Sequence, residues 1–116
     1  MIVDDNEILR KSMEKILNDE YSVFHASNGI EAVNSLKKNN IDLIFLDVVM
    51  PEKGGIAVLM DSKDLLKEKK IIIITGNVSP DSDAFRNLSR SFGVSKILYK
   101  PFEKEELLSA VKETLL

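Results

Sequence analysis

The sequence predicts an α/β fold built on one parallel sheet, and three observations carry that expectation. Five short runs rich in apolar and β-branched residues, "MIV", "YSVFHA", "IDLIFLD", "KIIIIT" and "KILY", are separated by segments whose apolar residues recur at helical spacing. The third and fourth runs are apolar almost throughout rather than alternating, as strands covered on both faces are. No repeat, linker or low-complexity tract breaks the order, which therefore describes one sheet and not an array.

The first run stops at Asp4 and Asp5, after which Ile8, Leu9, Met13, Ile16 and Leu17 predict a helix to about residue 18. "YSVFHA" predicts a second strand, with His25 within it and half covered by a helix. After "SNG", Ile30, Val33 and Leu36 mark a second helix ending in "KKNN". Residues 41–46, apolar apart from Asp42, form the third strand; it closes on Asp47 and is followed by a turn carrying Pro51, Gly54 and Gly55. Residues 56–66 predict a third helix, with the mixed charges of "KDLLKEKK" on a solvated end and the methionines Met13, Met50 and Met60 as packing. The β-branched run "KIIIITG" reads as the central strand. "NVSPDSD" is a loop rich in capping residues, 84–92 a short helix, "KILY" the fifth strand, and 103–116 a closing helix with Leu107, Leu108, Val111 and Leu115 facing inward. The expectation is five strands alternating with five helices.

Length and composition narrow the function. A chain of 116 residues accommodates one domain, and 44% apolar with 30% charged residues is a globular mixture. The net charge of -3 lacks the basic footprint of a nucleic-acid binder. Without cysteine there is no disulfide, thiol nucleophile or Cys-ligated metal. Apolar runs such as Ile71 to Ile74 are far short of the ~20 residues of a membrane span, and the acidic "DDNE" does not suit a signal peptide. A cytoplasmic protein with no membrane segment is expected.

Right-handed crossovers cover both faces of such a sheet, and five strands fit the flavodoxin-like order 2-1-3-4-5. In that order the first and third strands are neighbours, so Asp4, Asp5 and Asp47 meet at the carboxyl edge, at the topological switch point where open α/β sheets bind ligands. Two carboxylates ~4 Å apart repel by roughly 4 kcal/mol at an effective dielectric of about 20, and positive charge must offset this. A hard divalent cation suits an all-oxygen site, and few protein ligands with room for water favour Mg²⁺ over Ca²⁺. Lys100, past the fifth strand, has the reach to bring an ammonium to the acids. Pro101 beside it is a candidate for the cis form. Thr75 places a hydroxyl on the same edge.

"VDDN", "LDVVMP", "TG" and "KPF", at the ends of the first, third, fourth and fifth strands, resemble the receiver domain of bacterial two-component response regulators over essentially residues 1–116. The resemblance implies that Asp47 is phosphorylated by a sensor histidine kinase or phosphotransfer protein. It implies that Asp5 ligates Mg²⁺ directly, Asp4 mainly through water, and Asp47 and the backbone carbonyl of Val49 complete the protein ligands. Thr75 and Lys100 would bind phosphoryl oxygens. The fourth helix, fifth strand and fifth helix would read out the state to a downstream target or a fused output module, or pair two copies as a homodimer.

Some positions depart from that pattern. Receivers commonly carry an aromatic residue three before the lysine, where this chain has Ile97; Tyr99, on the same strand face by the period of two, is the candidate substitute. The usual "DG" after the proline is "GG", and the first strand is short. Val49 and Asn77 stand where the family tunes attack of water on the acyl phosphate, and slow to moderate self-dephosphorylation is expected.

Simpler accounts exist for single residues: Asp4 or Asp5 as the cap of the first helix, Thr75 as an ordinary strand end, Lys100 as surface charge. Two rival functions remain. One is an aspartate-nucleophile phosphohydrolase, against which stand the adjacent acids and the lack of length for a cap over the substrate. The other is a receiver-like module that is never phosphorylated, against which stands the full set of acids and lysine.

Overall fold

Period-two alternation within fully apolar strands sends their side chains to two separate cores, one on each face of the sheet. The computed structural model describes residues 1–47, 63–76 and 93–116. Within them the strands are β1 (Ile2–Val3), β2 (His25–Ala26), β3 (Leu43–Asp47), β4 (Lys70–Thr75) and β5 (Lys96–Tyr99), and the helices α1 (Glu7–Leu17), α2 (Gly29–Lys38) and α3 (Lys104–Leu115). All strand pairs are parallel, in the order β2-β1-β3-β4-β5. This is the expected fold and order.

Val3, Ile44, Leu46, Ile71 and Ile73 face one way and pack against Ala32, Val33 and Leu36 of α2. Ile2, Phe45, Ile72 and Ile74 face the other way, against Met13 and Leu17 of α1 and Leu107, Ala110 and Val111 of α3. Burial of one such isoleucine contributes about 1.5–3 kcal/mol. Ile72, Ile73 and Ile74 are all fully buried because β4 is an interior strand between β3 and β5, but the middle of the sheet is β3, which corrects the reading of "KIIIITG" as the central strand.

Each helix start is supported by local hydrogen bonds. The Asn6 side chain accepts from the Leu9 N–H at 3.1 Å, and the Asn28 side chain from the Glu31 N–H at 2.9 Å. In α3 the Glu103 N–H donates to the Glu106 carboxylate at 3.3 Å. Caps of this kind stabilise by ~1 kcal/mol each. The cap of α1 is thus Asn6, which corrects the simpler account of Asp4 and Asp5.

Three other expectations need correction. The second strand was expected over 21–26, but its ladder covers only His25–Ala26, because its sole partner β1 supplies just Ile2 and Val3. Ile8 and Ile30, read as core-facing, are 79% and 61% exposed; each lies in the first turn of its helix. At the end of α3, Leu115 is exposed and Thr114 takes the inward position. The expected third helix is described only over Lys63–Leu66, a 3-10 turn. The fourth helix (84–92), the turns at 48–55 and 77–83, and with them Val49, Met50, Met60 and Asn77, lie outside the described residues.

Candidate functional site: an acidic cluster at the switch point

The register decides which side chains meet. Val3 pairs with Leu46, so the residues that follow, Asp4 and Asp47, leave adjacent strands at the same level. One carboxylate oxygen from each of Asp4, Asp5 and Asp47 lies within 4.8 Å of the others. Asp4 and Asp47 are buried, whereas Asp5 is exposed.

The Lys100 ammonium is the counter-charge. Its Nζ donates to Asp4 Oδ2 at 3.0 Å and to Asp47 Oδ2 at 3.2 Å. Its position is set by the chain before it: the Lys100 N–H donates to the Thr75 carbonyl at 2.8 Å, tying the end of β5 to β4. The Lys100–Pro101 peptide is cis, as the sequence suggested. The lysine stem passes close to Gly76, where a Cβ would meet Lys100 Cβ at 3.8 Å, an ordinary van der Waals contact.

Burial pulls the Lys100 pKa down, but the hydrogen bond to Asp4 and the negative charges of Asp47 and Asp4 outweigh it and hold the ammonium above the ordinary 10.5. A raised folded-state value means stability that is fully present below the unfolded pKa and lost as pH rises through the folded one. The stability difference between the parent and Lys100→Met is therefore expected to persist through neutral pH and to shrink only above pH 10.5, which denaturant titrations across the alkaline range would measure.

Asp4 is held from four directions. Its Oδ1 accepts from the Asn6 N–H at 2.9 Å and its Oδ2 from Lys100. Its N–H donates to the Ala26 carbonyl at 3.0 Å, and its own carbonyl accepts from Arg10 Nη1 at 2.6 Å. Thr75 is fully buried at the end of β4, one residue beyond the partner of Asp47. Opposite Thr75 in register stands Tyr99, 48% exposed, while Ile97 packs on the α2-side core.

The donor set fits a hard divalent cation: three carboxylates close together, among the described residues no histidine in the group, and an exposed Asp5 leaving one side open to water. His25 belongs elsewhere, with its Nε2 3.2 Å from Glu14 of α1. A cavity of about 590 Å³ lies at the opposite, amino-terminal edge, between Met1, Phe24 and Ile41, and no acid of the cluster lines it. Among the described residues, no helix is long and apolar enough to cross a membrane.

Of the residues expected from the sequence, the three acids and the amine come together here and Thr75 ends the neighbouring strand, whereas Arg10 and Asn6 were not expected. Asn6 was legible as a cap before an apolar-periodic segment. Arg10 carried no local signal, because its contact runs from a helical side chain back to a loop carbonyl.

A parallel doubly wound sheet of this order binds its ligands at the carboxyl edge where β1 and β3 part, and that is where the three acids and the lysine gather. The model of the response regulator receiver domain family matches residues 1–112, and the chain belongs to that family. It is 30% identical to the chemotaxis protein CheY of Halobacterium salinarum over 99% of this chain and 94% of that protein. It is 33% identical to CheY of Bacillus subtilis, covering 99% and 95%. Among solved structures, chemotaxis protein CheY4 of Vibrio cholerae superposes with a TM-score of 0.81 at 31% identity, covering 97% of this chain and 94% of that one.

Proposed function

We propose that this chain is a phospho-accepting switch in which Asp47 takes a phosphoryl group from a phosphohistidine of a sensor kinase or phosphotransfer protein. The observation that carries this reading is the Lys100 ammonium within hydrogen-bond distance of both Asp4 and Asp47. Asp47 attacks phosphorus, the phosphorus–nitrogen bond breaks, and its electron pair returns to the donor imidazole, leaving an acyl phosphate on Asp47. Asp5, Asp47 and the Val49 carbonyl would hold Mg²⁺ directly and Asp4 through water. When bound, the ion supplies charge neutralisation at the equatorial phosphoryl oxygens.

Lys100 has two roles in this account. Before transfer it offsets the repulsion that keeps the acids apart, and after transfer it turns from a carboxylate to a phosphoryl oxygen. The hydroxyl of Thr75, the buried residue just beyond the register partner of Asp47, donates to another phosphoryl oxygen and draws the chain after β4 inward. Tyr99, the register partner of Thr75, feels that movement and carries it to the surface formed by the fourth helix, β5 and α3. That surface serves a downstream target, a fused output module or a second copy, in the cytoplasm where kinase and nucleotide are found. The chain catalyses only its own phosphorylation and dephosphorylation.

The test is incubation with acetyl phosphate, read by intact mass. With Mg²⁺ the mass gains one phosphoryl group; chelation of the metal with EDTA is expected to abolish the gain. Equal labelling with and without Mg²⁺, or turnover of small phosphate esters, would reject this function.

A further inference from the structure

We propose that Arg10 is a positioning residue for the acidic site: its guanidinium holds the Asp4 peptide so that the Asp4 and Asp5 carboxylates face Asp47. This rests on the phospho-accepting reading above and assigns a further residue to the same site.

The contact itself is unusual for an arginine. Arg10 lies one turn into α1, and its Nη1 reaches back six residues to the Asp4 carbonyl at 2.6 Å. A guanidinium usually finds a carboxylate, and Glu7 and Glu31 are near enough for their charges to be affected by it. Both acids are engaged elsewhere: Glu7 pairs with Lys11 at 3.2 Å, and Glu31 accepts from the N–H and hydroxyl of Ser27. Among the described residues, Arg10 Nε is buried without a partner. A buried donor left unsatisfied opposes folding, so the arrangement is poorly explained as a stabilising device. What the guanidinium does gain is a fixed grip on one peptide plane.

That peptide is the one that matters. The Asp4 carbonyl belongs to the Asp4–Asp5 linkage, so clamping it fixes the direction in which the chain carries both carboxylates out of β1. The Asn6 N–H holds the Asp4 side chain on one side and Lys100 on the other. Without Arg10, rotation of the Asp4–Asp5 peptide would loosen the exposed Asp5 most, since none of the hydrogen bonds to Asp4 restrains it.

The charge and the grip of Arg10 act with opposite signs on a divalent cation. As a charge alone, Arg10 repels it, and removal would tighten binding. As a clamp, Arg10 gathers its ligands, and removal would weaken binding. Arg10→Met keeps the apolar stem and removes both charge and donors. We expect about a tenfold loss of Mg²⁺ affinity by calorimetry in the range typical of residues that orient metal ligands. Arg10→Lys, which keeps the charge and one donor, should recover part of the loss. In metal-free protein, the Asn6 amide should exchange its hydrogen faster in Arg10→Met than in the parent, while the amides of β4 remain unchanged.

Affinity unchanged or tightened in Arg10→Met would overturn the inference while the parent still accepts a phosphoryl group. Should the parent itself bind no Mg²⁺, the proposed function fails instead, and Asn6 exchange alone decides about Arg10: faster exchange supports the clamp and unchanged exchange overturns it.

Discussion

Lys100→Met is expected to lose about 2 kcal/mol of stability at neutral pH and to accept a phosphoryl group far more slowly than the parent. Both effects have one cause. The ammonium is shared between Asp4 Oδ2 and Asp47 Oδ2, and both carboxylates are buried, so its removal takes away the counter-charge that the two adjacent acids share. Breaking a buried pair by removing one partner typically costs ~3–5 kcal/mol, and the lysine side chain's 28% exposure is the reason to expect less. Mg²⁺ should restore part of the deficit by taking the place of the ammonium. Urea unfolding of parent and variant at neutral pH, with and without Mg²⁺, measures both. A neutral-pH difference near zero would mean that water already screens the cluster.

Asp47→Asn separates chemistry from stability. The amide is a poor nucleophile and cannot form the acyl phosphate, so labelling by acetyl phosphate should vanish. Its folded state should not weaken, because one of the three clustered negative charges has gone while Lys100 keeps its contact with Asp4. Intact mass and a thermal melt on the same sample give the two readouts. Full labelling of Asp47→Asn would move the phosphoryl acceptor to another side chain; a large drop in its melting temperature would mean that Asp47 contributes to the fold more than to the site.

The site was legible because strand order follows from local rules. Runs such as "LIFLD" and "KIIIIT" must be covered on both faces, right-handed crossovers then bring β1 beside β3, and Asp4 and Asp47 come together as a matter of connectivity. Lys100 was readable for the same reason, since β5 lies beside β4 and β4 beside β3. Contacts that depend on reach rather than topology were not readable. Arg10 reaches a backbone carbonyl six residues back, which no apolar pattern records. "YSVFHA" has the composition of a strand, but pairing length is set by its partner, and β1 offers only two residues. Ile8 and Ile30 have the right spacing yet sit in first turns, where the sheet beneath has ended. Ile97 and Tyr99 share a strand face by period, while one is packed and the other exposed, because α2-side packing reaches only the lower of the two.

The central claim is that the acid closing β3 carries the phosphoryl group, held in a cluster whose charge Lys100 offsets. Acyl phosphates are reduced by borohydride to an alcohol, so treating the acetyl phosphate-labelled protein with borohydride and sequencing its peptides by tandem mass spectrometry locates the modified side chain. The account predicts homoserine at position 47 and unmodified aspartate at positions 4 and 5. Homoserine at either of those positions, or none at 47 in protein whose mass shows a bound phosphoryl group, would contradict it.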